Sequence, residues 1–370
     1  MLRIFKNKIM RRFGTSDLAT AIRGLAAIAV CAIHSNGFGL RPLDSTKLNV
    51  IGKSIDLFGT GGPAAFFIVS AYAISHSLEK NKTKYINFVI QRIFRLTPLY
   101  LLSMIAMTKA INWKIVGTSL FQPVLSRNLN WDILGVGWSL PVEFYCSISI
   151  PLISLLLLKL TDIVSKKYVT SAVIFVIFAL VTSLPFLYSA VGFTDNNLTA
   201  YKSVLSGFSY FVIGIIIYKT EVPFLNLDPK IQNSLTILSL AVTSFIFTKY
   251  LMNPSESSVP ILGFVITIFI LHWTKVRESQ DYKIHGIFIF LGTVCYGIYL
   301  INPIVAHYLP NLVSNDQVAN SLLQFAITVF FATLSWLFIE LPMIKLGKKL
   351  SFTFLNSSQD GRGRKRQVDK

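Results

Sequence analysis

Apolar residues along this chain gather into ten blocks, approximately 18–38, 57–78, 96–111, 138–158, 169–190, 202–218, 232–251, 259–274, 286–309 and 321–343, separated by short polar or charged connections. A hydrocarbon layer of about 30 Å needs roughly 20 apolar residues in a helix, and most of the blocks reach that length. The predicted fold class is therefore all-α: a polytopic transmembrane helical bundle of about ten helices. The third and eighth blocks are short. Ile93 and Phe94 extend the third, and the eighth reads as less tilted or partly re-entrant, so that eight to ten crossings fit the pattern. Gly61–Gly62 reads as a breaker before the second helix rather than a phosphate loop. The longest polar connection, about 112–137, still carries Trp113, Phe121 and Trp131, which predicts a segment lying on or dipping into one membrane face. The expected organisation is a basic segment over 1–17, a transmembrane domain over 18–343 and a basic tail over 344–370.

Composition agrees with the pattern, since 53% of the 370 residues are hydrophobic and 14% are charged. The first block carries Arg23 and His34 and has no small-x-small cleavage pattern, so it reads as a retained span and not a removed signal peptide. Cys31, Cys146 and Cys295 sit in apolar sequence without CxxC spacing and read as buried thiols, with neither a disulfide framework nor a metal site implied. Charge sets the orientation. With the N-terminus cytoplasmic, 26 Lys and Arg residues fall on the inner side and 8 on the outer side, which predicts both termini cytoplasmic and an even number of crossings. The tail GRGRKRQVDK resembles a nucleic-acid patch in isolation. Beside a membrane it reads as a solvated segment drawn to anionic lipid, so membrane lipids are expected as partners and nucleic acid is not. The sequence leaves the oligomeric state open.

Within the first block, the eleven-residue step from Arg23 to His34 returns both side chains to nearly one helix face, about 16 Å apart. Ionisable groups in a span usually face the protein interior or a cavity; the alternative is a snorkelling arginine and a histidine bonded to a neighbouring helix. Counting 1.5 Å per residue from the predicted helix ends puts His34 and Glu143 in one outer layer, and Arg92, Arg95 and Glu340 in one inner layer. Two guanidiniums at i, i+3 suit a phosphate or pyrophosphate, or else anchor the inner helix end. An imidazole beside a carboxylate suits general-base work on a hydroxyl, or else forms a structural hydrogen bond.

Six landmarks in order give the chain a family resemblance: Ile22-Arg23-Gly24-Leu25 with His34, FFIVSAYAIS (66–75), RIFRLTPLY (92–100), WSLPVEFY (138–145) with Pro151, LGTVCYGIYLINP (291–303) and FIELP (338–342). The chain resembles the acyltransferase-3 proteins, integral membrane O-acyltransferases that modify cell-envelope sugars and related hydroxyl compounds. The resemblance implies about ten transmembrane helices in the bacterial cytoplasmic (inner) membrane. It also implies transfer of an acyl group, usually acetyl, from cytoplasmic acyl-CoA to a polysaccharide or lipid-linked sugar at the far side. Its Arg-x10-His pair falls on Arg23 and His34, its Arg-x-x-Arg pair on Arg92 and Arg95, and its WSL-x-x-E carboxylate on Glu143. On that basis His34 and Glu143 are catalytic candidates, with His34 as base or transient acyl carrier and Glu143 orienting it. Arg23, Arg92 and Arg95 are candidates for holding the acyl-CoA donor, acetyl-CoA by family precedent. Trp138, Ser139, Tyr296, Tyr299, Asn302 and Glu340 are candidates for lining the substrate path.

The chain also departs from the family pattern. Ala64 stands where an acidic residue commonly precedes FF, Ser70-Ala71-Tyr72 replaces SGF, FY follows Glu143 directly, and Asn302 replaces a frequent histidine. His76, His272, His285 and His307 fall near predicted helix ends and read as solvated or headgroup-bonded. No Gly-rich nucleotide motif or metal-ligand spacing is present in the sequence. The rival reading from a different class is a carrier or flippase for a glycan or anionic small molecule, whose charged layers would bind a substrate during alternating access; the sequence shows no internal repeat to favour it.

Overall fold

The computed structural model describes residues 17–35, 49–81, 85–110, 134–163, 204–252, 259–278, 286–310, 312 and 316–351. Ten α-helices follow one another, with no strand among the described residues: α1 (Asp17–His34), α2 (Asn49–Asn81), α3 (Tyr85–Thr108), α4 (Ser139–Ile163), α5 (Val204–Leu225), α6 (Pro229–Met252), α7 (Val259–Glu278), α8 (Gly286–Thr293), α9 (Cys295–Tyr308) and α10 (Gln317–Ser335). A π-turn over Trp336–Glu340 follows α10, and the chain stays helical to 351. Among the described residues six helices are long and apolar enough to cross a membrane, or seven when the bent pair α8–α9 counts as one span. The chain is an all-α, multi-pass membrane protein. The fifth apolar block, 169–190, and both termini lie outside the described residues.

Two of the expected elements differ. Gly61 and Gly62 do not break the chain before a helix but lie inside α2. A Cβ on Gly61 would collide with Ile261, and one on Gly62 would come within 2.5 Å of the Val30 side chain, so these glycines let α7 and α1 press against α2. The ninth block is two helices that meet at 68° around Val294. The connection before α4 dips into the bundle at its described end. Leu134, Val136 and Trp138 are buried there, and Gly135 takes φ 70°, where only glycine is unstrained.

Close helix contact depends on small residues. A Cβ on Gly24 would lie 2.7 Å from the carbonyl oxygen of Phe288, and one on Gly292 would collide with the carbonyl of Thr20, so α1 and α8 approach backbone to backbone. Around α1 and α2 an apolar cluster joins α4, α5 and α7 through Ile68, Val142, Phe211, Ile213 and Phe269. A second cluster ties α3 to α9 through Leu96, Tyr100, Met104 and Leu300. At one end of the bundle the C-terminus of α1 meets the start of α10, where Ser321 Oγ donates to the Ser35 carbonyl at 3.4 Å, and α3 meets α9, where Tyr308 Oη donates to the Ala106 carbonyl at 2.8 Å. At the other end Gln91 donates to Ser351 Oγ at 3.1 Å.

Candidate functional site

Arginines from α1 and α3 meet a carboxylate from α4 in the interior of the bundle. Glu143 and Ser147, one turn apart on α4, share Arg92: its Nη2 lies 3.0 Å from Glu143 Oε1 and its Nε donates to Ser147 Oγ at 3.2 Å. Ser70 of α2 links this pair to α1. It donates to Glu143 Oε1 at 3.2 Å and accepts from Arg23 Nη2 at 3.3 Å. Arg23 is 8% exposed and Arg92 6%, and an interior guanidinium is costly unless its charge and donors are met. Arg92 meets that condition. Arg23 makes one hydrogen bond with its five donors, and Arg95 has no hydrogen bond or ion pair among the described residues.

The guanidiniums of Arg23 and Arg95, with Glu143, border a crevice of about 40 Å³. Ser70, Ser139, Cys295, Tyr296 and Tyr299 complete its polar wall, with Pro63, Phe66, Phe67, Leu96 and Leu140 as its apolar one. Tyr299 Oη donates to the Val136 carbonyl at 2.8 Å and pairs with Ser139 Oγ at 2.9 Å, and Tyr296 donates to the Leu96 carbonyl. Behind Arg95 stands Glu340, 2% exposed, which accepts from Ser335 Oγ at 3.3 Å and lies in the field of that arginine. The π-turn swings Glu340 inward, a device common at functional sites.

The expected outer layer of His34 with Glu143 does not form as drawn, because α4 starts deeper than the sequence count assumed. Trp138 is buried against Phe67, with ring centroids 6.4 Å apart. The carbonyls of Val136 and Gly137 accept from Tyr299 and Tyr100. Those tyrosines lie nine and eight residues short of the ends of α9 and α3, about 12–14 Å down the helices. Irregular backbone at that depth is tolerated where protein satisfies its carbonyls. Glu143 thus descends to the level of the arginines. His34 ends α1 with an exposed side chain and does not line the crevice.

Of the other candidates, Arg23, Arg95, Ser139, Tyr296 and Tyr299 line the crevice, Arg92 is held by Glu143 just behind its wall, and Asn302 and Trp138 are buried away from it. Sequence reasoning missed Ser70, Ser147 and Tyr100. The i, i+4 spacing of Glu143 and Ser147 was a usable signal; nothing local marks Ser70. All three cysteines are buried thiols outside any disulfide, and Cys295 additionally borders the crevice. Among the described residues no group of three or more His, Cys, Asp or Glu side chains could hold a metal.

Residues 19–340 match the acyltransferase-3 family, described as an acyltransferase domain. The chain belongs to this family. Nearly the whole described bundle lies inside the match, including the arginines, Glu143, His34 and the π-turn. The protein is therefore a membrane acyltransferase. No curated protein and no solved structure matches the chain.

Proposed function

We propose that this acyltransferase moves an acyl group, acetyl by family precedent, from cytoplasmic acyl-CoA to a hydroxyl of a polysaccharide or lipid-linked sugar at the outer side of a bacterial cytoplasmic membrane. The observation that carries this reading is the buried Arg23 with four donors uncommitted, beside an Arg95 that makes no hydrogen bond or ion pair among the described residues. Such guanidiniums suit the phosphates of a CoA donor. The crevice at about 40 Å³ has room for water and not for a thioester, so donor entry requires its walls to part. Helix α1 then supplies the line of transfer, since His34 stands about 16 Å further along the same face.

In this reading His34 takes the proton of the acceptor hydroxyl, the oxygen attacks the thioester carbonyl, the C–S bond breaks, and the leaving thiolate is protonated to free CoA. A transient acyl group on His34 is the two-step form of the same transfer. Because Glu143 is committed to Arg92 and Ser70, its part is to hold the arginines rather than to orient the imidazole. The orientation rests on the charge asymmetry: end residues Asn49 and His34 outside, Asn81 inside. The rival carrier would bind an anion at the same arginines without cleaving a thioester.

The test is CoA-thiol release by the purified protein with an envelope-glycan acceptor, followed by mass spectrometry of the glycan. His34→Ala should lower turnover by about 10²–10⁴-fold while leaving the protein folded. Arg23→Ala and Arg95→Ala should weaken acyl-CoA binding, and Arg→Lys should restore it only in part. Anion transport without thiol release would establish the carrier instead, and full turnover in His34→Ala would remove His34 from the chemistry.

A further inference from the structure

A second cavity, of about 500 Å³, lies between α3, α9 and α10 and is walled by apolar side chains, among them Leu99, Ala106, Ile304, Phe331 and Phe338. It continues the wall of the arginine crevice, because Arg92, Arg95, Leu99, Ser103 and Ala106 recur every three or four residues along one stripe of α3. Ser335 lines the groove and donates to Glu340, which stands behind Arg95 of the crevice. From Leu99 to Ala106 on α3, and from Ile301 to Leu309 on α9, the groove runs about 10–12 Å along the helices. Phe338 is 73% exposed and Phe331 47%, and both belong to an apolar span long enough to cross a membrane, of which only 28% is buried inside the bundle.

The mouth of the groove carries a cation. Lys109 follows α3 with φ 52°, the left-handed region usually left to glycine at a helix end. Its Nζ lies 5.0 Å from the centre of the Tyr308 ring, and Tyr308 lines the groove while its hydroxyl caps the Ala106 carbonyl. This is the end of the bundle at which α1 places His34, joined to the start of α10 by the Ser321–Ser35 hydrogen bond. An apolar groove of about 500 Å³, open beside the exposed Phe331 and Phe338 and with an ammonium group at the end that carries His34, suits a single-chain lipid phosphate.

We propose that this groove holds the hydrocarbon chain of the lipid phosphate that carries the acceptor sugar, with the phosphate at Lys109 and the sugar beside His34. The inference rests on the reading that the acceptor is lipid-linked, and it supplies what that reading lacks, a place for the lipid. The groove would fix the acceptor at the bundle end by binding its tail, so the sugar itself need make few contacts.

The test uses the full chain in phosphatidylcholine nanodiscs with hexadecyl phosphate bearing a diazirine at mid-chain, irradiated and mapped by mass spectrometry. Adducts are expected on 99–106, 301–308 and 331–338, displaced by unlabelled hexadecyl phosphate and not by hexadecanol. Ala106→Trp, which fills the mouth, should cut labelling at least tenfold. Lys109→Gln should cut it several-fold and Lys109→Arg should retain it, two surface changes that leave the fold untouched should Ala106→Trp disturb it. Labelling of the lipid-exposed face of α6 as heavily as the groove, unchanged labelling in both Ala106→Trp and Lys109→Gln, or equal displacement by hexadecanol would overturn the proposal. CoA-thiol release with a lipid-linked sugar separates the two readings. Groove labelling in a protein that releases no CoA sinks acyl transfer and leaves the lipid site, whereas unchanged release in Ala106→Trp and Lys109→Gln sinks the site and leaves acyl transfer.

Discussion

Helices α1 and α6 are nearly equal in hydropathy, yet 61% of α1 is buried inside the bundle and only 6% of the span on α6. The difference lies in which residues carry the hydropathy. Helix α1 is built of Ala, Gly and Ile around one arginine, DLATAIRGLAAIAVCAIH, so that α2, α8 and α9 close on it, and Gly24 meets the backbone of α8. Helix α6 exposes Ile237, Leu238 and Phe245 at 68%, 58% and 71%, and it touches α7 through hydroxyls, Thr236 with Thr274 at 3.2 Å and Thr243 with Thr267 at 2.7 Å. Hydropathy therefore reports that a segment can enter a membrane. Small residues and interior charge report that it belongs at the centre of one, because lipid solvates large apolar side chains well and a guanidinium poorly.

That contrast can be broken at four places. The largest effect is expected at the centre, where Glu143→Ala leaves Arg92 buried without its carboxylate and should cost about 3–5 kcal/mol; thermal unfolding of the purified protein in detergent measures it, and an unchanged melting temperature would mean that the ion pair is solvated. Next, Leu238→Arg places a charge near the middle of the lipid-exposed face of α6 and should cost about 2.5–3.5 kcal/mol of insertion free energy. Leu238→Ala at the same position should have little effect on the folded bundle, and a loss typical of a core leucine would show that α6 is covered in the membrane. Third, Gly292→Ala forces a Cβ against the Thr20 carbonyl and should destabilise by about 1–3 kcal/mol. Gly263→Ala, whose Cβ would lie 3.3 Å from Thr243 Oγ1, should be much milder, and equal losses at the two glycines would erase the distinction between the two interfaces. The smallest effect belongs to Thr243→Val, which removes one interhelical hydrogen bond and should cost about 0.6 kcal/mol, readable as a small shift in the same melting curve.

Legibility followed the same division. Helix positions were readable because an uninterrupted apolar run has one stable form in a bilayer, and nine of the ten expected blocks have helical counterparts among the described residues. The nearness of Arg95 to Glu340 was also readable, since it depends on helices that begin near the ends of their apolar runs. Glu143 was misplaced because its depth was counted from Trp138 as though α4 began at a membrane surface. Nothing local in the sequence says that Tyr100 and Tyr299 will cap the carbonyls of a connection that descends into the bundle. Gly61 and Gly62 were misread for a related reason: a glycine pair inside a helix looks like a break until Ile261 and Val30 are seen to occupy the space where its side chains would be.

The sequence by itself determined that this chain is a multi-pass helical membrane protein of the acyltransferase-3 family, because apolar run length and an ordered set of short motifs are one-dimensional properties. Only the tertiary structure decided that Glu143 neutralises Arg92 instead of facing His34, that Ser70 links Arg23 to that pair, and that the stripe on α3 passes from an arginine crevice into an apolar groove. Each of these depends on how far one helix sinks relative to its neighbours. That depth is set by the capping of buried carbonyls and by glycine contacts between distant segments, which a linear pattern does not record.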